Sequence, residues 1–505
     1  MNIRYSIYFM GRLLKTIAFL FLFPSIIALI YGEYYNLVAF LPIGVGLFLI
    51  GFLCSLKEPN NKHLTAIEGF VIVAASWVII SLAVAFSFLI LGEVSKKFID
   101  CFFEAVSGFT TTGASIVSDV ESLSKSTNAL RLGTHWVGGM GILVLVLAII
   151  PKNVDATAMN VFRAEVPGHQ VEKMTSKLAV TAKVLYLIYA GLTIILAIAF
   201  MIAKMPIYDS IVHAMSIAGT GGFSVRNASI GAYNSAAIEI IATVGMFLFG
   251  INMNIFYLIL MGKVLTAFKS EELRAYVLIY LVCIFLSAGS LVINSTYDTF
   301  GESLRHSAFQ LAAIMSTTGM SVENFSMWPV LCQMLIFVTM FIGGCSGSTA
   351  GGMKLSRVII AGKYVNKQIK LSARPNVVKT IRLEGERVEK DTVNGALSYV
   401  ILYFAIIILS FVFIAFFEGI INGSGFTFFE QFTAVLSAIS NVGPAFGRLA
   451  VGTYGDFSWV SKLILIFDML AGRLEVLPMI FLFNPFLWKR GVIGNKKRVK
   501  NSKKI

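Results

Sequence analysis

Long apolar runs alternating with short polar connections dominate the chain. A run of about 20 apolar residues is long enough to cross the hydrocarbon core of a bilayer as a helix. The pattern predicts ten such spans, near residues 10–31, 37–55, 65–92, 132–151, 182–203, 236–262, 275–294, 327–343 (continuing to about 362), 394–418 and 459–486. An even number of spans places both termini on the same side of the membrane.

Four connections on the opposite side each contain a shorter apolar segment that ends in small polar residues. These segments read "FIDCFFEAVSGFTTTGAS" (98–115), "IYDSIVHAMSIAGTGGFS" (207–224), "LRHSAFQLAAIMSTTGMS" (304–321) and "FTFFEQFTAVLSAISNVGPAFG" (426–447). A helix of about 12 residues rises about 18 Å, which is short of the roughly 30 Å hydrocarbon core. Each segment is therefore predicted to enter and leave the membrane by the same face.

The four segments align on their glycines, which pairs Thr112-Gly113 with Thr220-Gly221, Thr318-Gly319 and Val442-Gly443. Irregular backbone at membrane depth is tolerated only where protein buries it or water bathes it. Four such loops around one axis would pool their carbonyls into a ring that replaces the water around a cation. The predicted filter residues are Thr111, Thr112, Gly113, Gly219, Thr220, Gly221, Thr317, Thr318, Gly319, Asn441, Val442 and Gly443. Ordinary external re-entrant loops with turn glycines are the alternative.

Composition and charge agree with a membrane protein. The chain is 57% hydrophobic and 13% charged, whereas soluble domains carry about a quarter charged residues. Of its 41 lysines and arginines, 31 lie at the termini and in the connections on their side, and nine lie opposite. The positive-inside rule therefore places both termini in the cytoplasm. The net charge of +14 is explained by orientation, and no nucleic acid partner is predicted.

The eighth predicted span is interrupted by "IGGCSGSTAGGMKLSR" (342–357). Such a segment is costly against lipid, but it can unwind and move where it lines a cavity. A phosphate-binding loop is a poor alternative, because Met353 occupies the position of the motif lysine. We predict a mobile gate below the filter, formed by Gly343, Gly344, Gly347, Ser348, Thr349, Gly351 and Gly352.

Arg473 is a charged residue within an otherwise apolar span, which makes a functional role the default hypothesis. Glu475 and Asp468 point to other helical faces and are poor partners for it. In a pore, its guanidinium would repel cations and act as an electrostatic barrier. A buried ion pair with another repeat, or a side chain reaching toward the cytoplasmic surface, remains an alternative.

These residues resemble the Trk/Ktr/HKT superfamily of potassium transporters, most closely the bacterial TrkH/TrkG branch. The resemblance covers the four loops and the motifs "HWVGGMGILVL" (135–145), "FRAEVPG" (162–168), "FIGGCSGSTAGGMKLSR" (341–357) and "GRLEV" (472–476). It implies an all-α fold with two extra N-terminal helices and four helix–pore loop–helix repeats in pseudo-fourfold symmetry. The corresponding boundaries are 1–64, 65–151, 152–265, 266–365 and 366–505.

The resemblance also implies potassium uptake across the bacterial cytoplasmic membrane, with glycine at Gly113 associated with potassium preference. Potassium is then the transported substrate bound at the filter, and no organic cofactor or enzymatic activity is expected. A gate in the third repeat and an arginine below the filter, here Arg473, are further implications. The alternative within transport is a sodium-dependent or sodium-permeant Ktr-like protein.

The connection 354–393 contains ten lysines and arginines, which is typical of a surface that binds anionic lipid or a soluble regulator. The resemblance implies a TrkA-like cytosolic subunit that binds nucleotide, and it implies a homodimer. The chain lacks a G-x-G-x-x-G motif in a strand–helix context, so we predict no nucleotide site of its own.

Overall fold

The computed structural model describes residues 3–59, 66–141, 178–374, 380–423 and 425–483. These residues are mostly helical, and the two-stranded pair of β1 (Arg382–Leu383) and β2 (Glu386–Arg387) is the sheet found among them. The prediction of an all-α membrane protein is confirmed at this level. The motif at 162–168 and the C-terminal tail lie outside the described residues.

Three N-terminal helices form the first part of the fold. Helix α1 (Ile3–Ala18) continues through a short 3-10 turn into α2 (Leu22–Tyr31), so that the two together match the first predicted span. Helix α3 (Leu37–Cys54) returns and packs against α1. Gly11 and Gly51 lie at this contact, where an added Cβ on Gly51 would approach the Gly11 carbonyl closely.

Four repeats follow, each with a long helix, a half-length helix and a closing segment. The long helices are α4 (Ala66–Leu91), α7 (Leu178–Ile202), α12 (Glu271–Ile293) and α16 (Lys390–Ile421). The half-length helices are α5 (Phe98–Phe109), α8 (Ile207–Ala218), α13 (Phe300–Met315) and α17 (Phe428–Ser440). The closing segment of the first repeat is α6 (Lys125–Gly139), and that of the second comprises α9 (Ala236–Phe249) and α10 (Met253–Leu260). The third repeat closes with α14 (Val330–Ile342) and α15 (Leu355–Ala373), and the fourth with α18 (Trp459–Arg473) and α19 (Leu477–Phe483). The short helix α11 (Val264–Phe268) connects α10 to α12.

The repeats pack in a closed cycle. Helix α6 of the first repeat packs against α8 of the second, α9 of the second against α13 of the third, and α14 of the third against α17 of the fourth. The cycle closes where α18 of the fourth repeat packs against α5 of the first. Each half-length helix is therefore held by its own repeat and by the preceding one, and the four loops that follow these helices converge.

Two predicted spans are broken where continuous helices were expected, and a third is broken at its predicted interruption. The predicted span 236–262 divides into α9 and α10, which are bent by 93°, because Asn252 caps the N-terminus of the second helix through its side chain. The span 459–486 breaks after Arg473, where Glu475 and Val476 have positive φ, and the span from 327 breaks between α14 and α15. Hydropathy averaged over a window does not detect the breaks at Asn252 and Glu475.

Among the described residues, six helices are long and apolar enough to cross a membrane, or seven if the bent pair counts as one span. Helix α6 begins at Lys125, seven residues before the predicted start of its span at 132, because Ser124 caps its N-terminus. Similar Ser and Thr caps begin five other helices, and these caps are Ser235, Ser270, Thr299, Thr427 and Ser458.

Candidate functional site

Each half-length helix ends in the same turn. Just after the last helical turn, Thr111, Thr220, Thr317 and Asn441 adopt a left-handed conformation, with φ between 54° and 56°. The next residue in each loop donates its N–H to the carbonyl five positions earlier, as in Thr112 N to Ser107 O at 2.9 Å and Gly221 N to Ser216 O at 2.9 Å. A glycine with positive φ then follows, and these glycines are Gly113, Gly222, Gly319 and Gly443. The four loops therefore share one backbone structure.

This geometry corrects the alignment of the second loop by one residue. The sequence alignment paired Gly221 with Gly113, but the residue with matching φ is Gly222. The equivalent triplet is therefore Thr220, Gly221 and Gly222, and Gly219 belongs to the end of the helix. The pattern was ambiguous because two glycines are adjacent in "GTGGFS". An added Cβ on Gly221 would overlap the imidazole of His135, so only glycine fits at this position.

The four loops form a closed ring at the level of these glycines. A Cβ on any one of them would overlap or crowd a backbone carbonyl of the next loop. The contacts run from Gly113 to the Gly221 carbonyl, Gly222 to the Thr318 carbonyl, Gly319 to the Val442 carbonyl and Gly443 to the Thr112 carbonyl. Only a residue without a side chain fits such a close approach, and the ring is thus built from backbone.

Side chains tie the fourth loop to the first. Asn441 Nδ2 donates to Thr112 Oγ1 at 2.9 Å and to the Met469 carbonyl at 2.9 Å. Tyr454 donates its hydroxyl to the Gly443 carbonyl at 2.7 Å, and its backbone N–H donates to the Ser115 carbonyl at 2.8 Å. The Gly443 carbonyl thus has a protein partner, so that the fourth quarter of the ring differs from the others.

A cavity of about 130 Å³ adjoins the ring, and residues from all four loops line it. Gly113, Gly222, Gly319 and Gly443 form its floor, and polar groups such as Ser115 and Asn227 line the sides. This arrangement gives a small hydrated species direct access to the ring of backbone.

The segment 343–354 lies against the opposite side of the ring. Gly351 donates its N–H to Thr317 Oγ1 at 2.7 Å, and a Cβ on Gly351 would lie 2.5 Å from the Ser440 carbonyl. Thr349 Oγ1 donates to the Phe249 carbonyl at 3.2 Å. Four residues of the segment have positive φ, namely Gly343, Gly347, Gly352 and Lys354. The predicted interruption of the helix is confirmed, and we call this segment the inner loop.

Arg473 joins the inner loop to the first repeat. Its guanidinium donates to the Thr349 carbonyl at 2.8 Å and to the carbonyls of Gly138 and Gly139 at 2.6 Å each. These partners are backbone carbonyls from two different repeats. Glu475 instead accepts a hydrogen bond from Arg357, which agrees with the prediction that Glu475 faces away from Arg473.

Glu272, which the sequence did not point to, links the inner loop to the start of α15. Its Oε1 accepts the backbone N–H of Ser346 at 2.8 Å and that of Ser356 at 3.0 Å, although its side chain is buried. The carboxylate of Glu384, in the β1–β2 turn, accepts hydrogen bonds from Ser270 and Glu271 at the start of the same helix. The only signal in the sequence was an acidic residue at the start of an apolar run.

Comparison with known proteins gives the class of this site. A crystal structure of the potassium transporter TrkH from Vibrio parahaemolyticus superposes on this chain with a TM-score of 0.84 at 29% identity, covering 97% of this chain and 100% of that one. This fold is that of a multi-pass membrane transporter.

The family follows from the sequence comparisons. Residues 44–490 match the family model TrkH, cation transport protein. The chain is 34% identical to the Trk system potassium uptake protein TrkH of Vibrio parahaemolyticus over 97% of this chain and 100% of that protein. It is 30% identical to TrkG of Escherichia coli over 92% and 94% of the two chains. The chain belongs to the TrkH family of cation transport proteins.

Proposed function

We propose that this protein takes up potassium across the bacterial cytoplasmic membrane, through a filter formed by the ring of four loops. Relatives over nearly the full length are named Trk system potassium uptake proteins. The observation that carries the proposal is the closed ring of glycines, each of which is approached closely by a backbone carbonyl of the next loop. A ring of carbonyls replaces the hydration shell of a monovalent cation.

The filter in this proposal contains the predicted residues with one change. The first, third and fourth loops contribute Thr111, Thr112 and Gly113, Thr317, Thr318 and Gly319, and Asn441, Val442 and Gly443. The second contributes Thr220, Gly221 and Gly222, in agreement with the positive φ of Gly222. Because the C-terminal ends of the four half-length helices precede these residues, their partial negative charge also favours a cation.

The inner loop is proposed as the gate, and Arg473 as its latch and as a barrier to cations. The gate residues are those predicted, Gly343, Gly344, Gly347, Ser348, Thr349, Gly351 and Gly352. Support comes from the hydrogen bonds of the loop to Thr317 and Arg473. A few polar contacts of this kind can be exchanged as the loop moves, whereas each loop of the ring is closely packed against the backbone of the next.

Ten membrane-spanning segments, four re-entrant helices and cytoplasmic termini complete the proposal. A cytosolic TrkA-like subunit that binds nucleotide would dock on the basic connection 354–393, where Lys370 and Arg374 are exposed, and anionic lipid would contact the same side. Two copies of the chain would form the homodimer that the resemblance implies.

Complementation tests the proposal. The gene is expressed in a bacterium that lacks its potassium uptake systems, on medium with low potassium, with and without a TrkA-like subunit. Growth restored by the wild-type chain, and lost with a Gly222→Val substitution at unchanged membrane expression, is the expected result. Failure of the well-expressed wild-type chain to restore growth in the presence of the subunit would contradict it.

A sodium-permeant transporter is the second candidate. The asymmetry of the fourth loop favours it, since Pro444 follows Gly443 and the Gly443 carbonyl already accepts the Tyr454 hydroxyl. Competition between sodium and rubidium in proteoliposomes separates the two. Inhibition of rubidium uptake by equimolar sodium would favour this second candidate.

A further inference from the structure

A buried ion pair lies directly behind the first loop. Glu104 of α5 and Arg131 of α6 are bonded through two guanidinium nitrogens, Nε at 2.9 Å and Nη2 at 2.6 Å from Glu104 Oε1. Their side chains are 0% and 1% exposed, the lowest of any ion pair between described residues. Because desolvation offsets most of the attraction in such a pair, stability alone gives little reason for it.

The Glu104 carboxylate also holds the chain that leaves the first loop. Ser115 Oγ donates to Oε1 at 2.9 Å, and the Ile116 N–H donates to Oε2 at 2.9 Å. Ser115 is two residues beyond Gly113. The carboxylate therefore fixes the exit of this loop through charge-assisted hydrogen bonds, which are about twice as strong as neutral ones.

Arg131 reaches the second loop. Its guanidinium carbon lies 4.3 Å from the centroid of the Phe223 ring, in a cation–π contact, and Phe223 directly follows Gly222. Nη2 is also 3.2 Å from Ser115 Oγ. One turn further along α6, His135 stacks on the same ring at 4.3 Å. A single guanidinium thus contacts the chain just beyond the ring glycine in two neighbouring loops.

Two of the other three junctions of the ring are built differently. Phe325 and Phe446, which follow the third and fourth loops, pack edge to face at 5.2 Å, and Tyr454 bridges the fourth and first loops through its hydroxyl and its backbone N–H. Arg131 lies at the edge of the cavity that adjoins the ring, but its side chain is 1% exposed and its guanidinium is bonded to Glu104 and Asn128. Its role must be exerted through the two loops.

We propose that Glu104 and Arg131 are positioning residues for ion discrimination, which set the spacing of the first and second loops without touching the ion. This inference rests on the proposed transport function. It requires that weakening the pair changes the preference among ions more than it changes the total rate.

The test uses full-length protein in proteoliposomes, with uptake of potassium and sodium measured separately. Glu104→Gln keeps the shape of the side chain but removes the charge that holds Ser115 and Arg131. Because losing a charge-assisted hydrogen bond corresponds to roughly a tenfold change in an equilibrium, we expect the ratio of potassium to sodium uptake to fall about tenfold.

Two further variants keep the test decisive. Ser115→Ala removes one hydrogen bond to Glu104 and leaves no buried charge unpaired. It therefore decides the question if Glu104→Gln fails to fold. We expect it to lower the ratio of potassium to sodium uptake about threefold. The matched control is Asp100→Asn, one turn earlier on the same helix, whose carboxylate pairs with Lys462 Nζ at 2.7 Å and contacts none of the four loops. The ratio of potassium to sodium uptake in Asp100→Asn should stay within about twofold of the wild-type ratio.

The outcomes separate this inference from the proposed function. A wild-type ratio in folded Ser115→Ala and Glu104→Gln proteins, with both ions slowed equally, would overturn the positioning role while leaving transport intact. An equal loss of discrimination in Asp100→Asn would also overturn it, because the effect would then be general destabilisation. Absence of potassium uptake by the wild-type protein would contradict the proposed function itself.

Discussion

The ring of four loops and the inner loop lie against each other but are held in different ways. In the ring, each loop is confined by backbone of the next, so that even one added carbon atom at Gly113 or Gly222 would overlap a carbonyl. The inner loop packs closely against the ring at Gly351, where an added Cβ would lie 2.5 Å from the Ser440 carbonyl. Its other attachments are polar contacts, chiefly to Glu272, Thr317 and Arg473. Packed backbone resists displacement, whereas each hydrogen bond contributes only about 1 kcal/mol. We infer that close backbone packing fixes the ring, whereas most contacts that hold the proposed gate are polar and can be exchanged.

The largest expected effect comes from breaking the ring. Gly113→Ser forces a side chain toward the Gly221 carbonyl at a residue with φ of 75°, and the left-handed conformation alone costs roughly 1–2 kcal/mol outside glycine. We expect potassium discrimination over sodium to fall by more than about tenfold, measured by paired flux assays. The control is Gly289→Ala, since an added Cβ at Gly289 meets nothing within 4 Å; equal discrimination in both variants would refute the placement of Gly113 in the filter.

Removing the proposed latch should change the rate of potassium flux and leave ion selectivity unchanged. Arg473→Ala deletes three hydrogen bonds from a charged group to backbone carbonyls, each of which contributes roughly 1.5–3 kcal/mol. We expect potassium flux through the resting protein to rise about tenfold, with an unchanged potassium-to-sodium ratio. Currents identical to wild type, with and without nucleotide-loaded regulator, would argue against a barrier or latch at this residue.

A smaller effect on potassium flux is expected at Glu272, which binds the inner loop through Ser346. Glu272→Gln replaces the charged acceptor of the Ser346 and Ser356 N–H groups by a neutral one. Because a neutral acceptor is weaker by about half, flux should rise about threefold. Glu271→Gln is the control, as the neighbouring carboxylate is half-buried and pairs with Lys363. Similar flux in both variants would mean that Glu272 does not restrain the loop.

The smallest expected effect is on stability at low pH, and it involves Glu430 in the first turn of α17. Burial would raise the pKa of Glu430, but hydrogen bonds from the Arg448 and Thr427 backbone and side chains outweigh it and lower the pKa to about 2. Because this pKa is depressed in the folded state, its stabilising contribution is present above pH 4.5 and is lost as the pH falls toward 2. Glu430→Gln should therefore flatten the fall in thermal stability over that interval. If the thermal stability of Glu430→Gln fell with pH as steeply as that of the wild-type protein, this expectation would be contradicted.

Much of this architecture could be predicted from sequence, because half-length apolar segments and turn glycines are local signals. The register of the second loop could not, since the two adjacent glycines are distinguished by the positive φ of Gly222 and by the position of His135 against Gly221, neither of which is a local sequence signal. The breaks at Asn252 and Glu475 escaped because hydropathy averages over them. Glu104, Arg131 and Glu272 were missed for a different reason: their partners lie in other helices, and no spacing along the chain relates them.

The central claim is that four backbone loops together bind the transported ion. Anomalous scattering from crystals of the protein soaked in rubidium or thallium salts tests it most directly. The account predicts density on the axis of the ring, between the carbonyls of Thr112, Gly221, Thr318 and Val442, and a loss of that density in Gly113→Ser. Ordered ions found only away from the ring, or unchanged ring density in that variant, would contradict it.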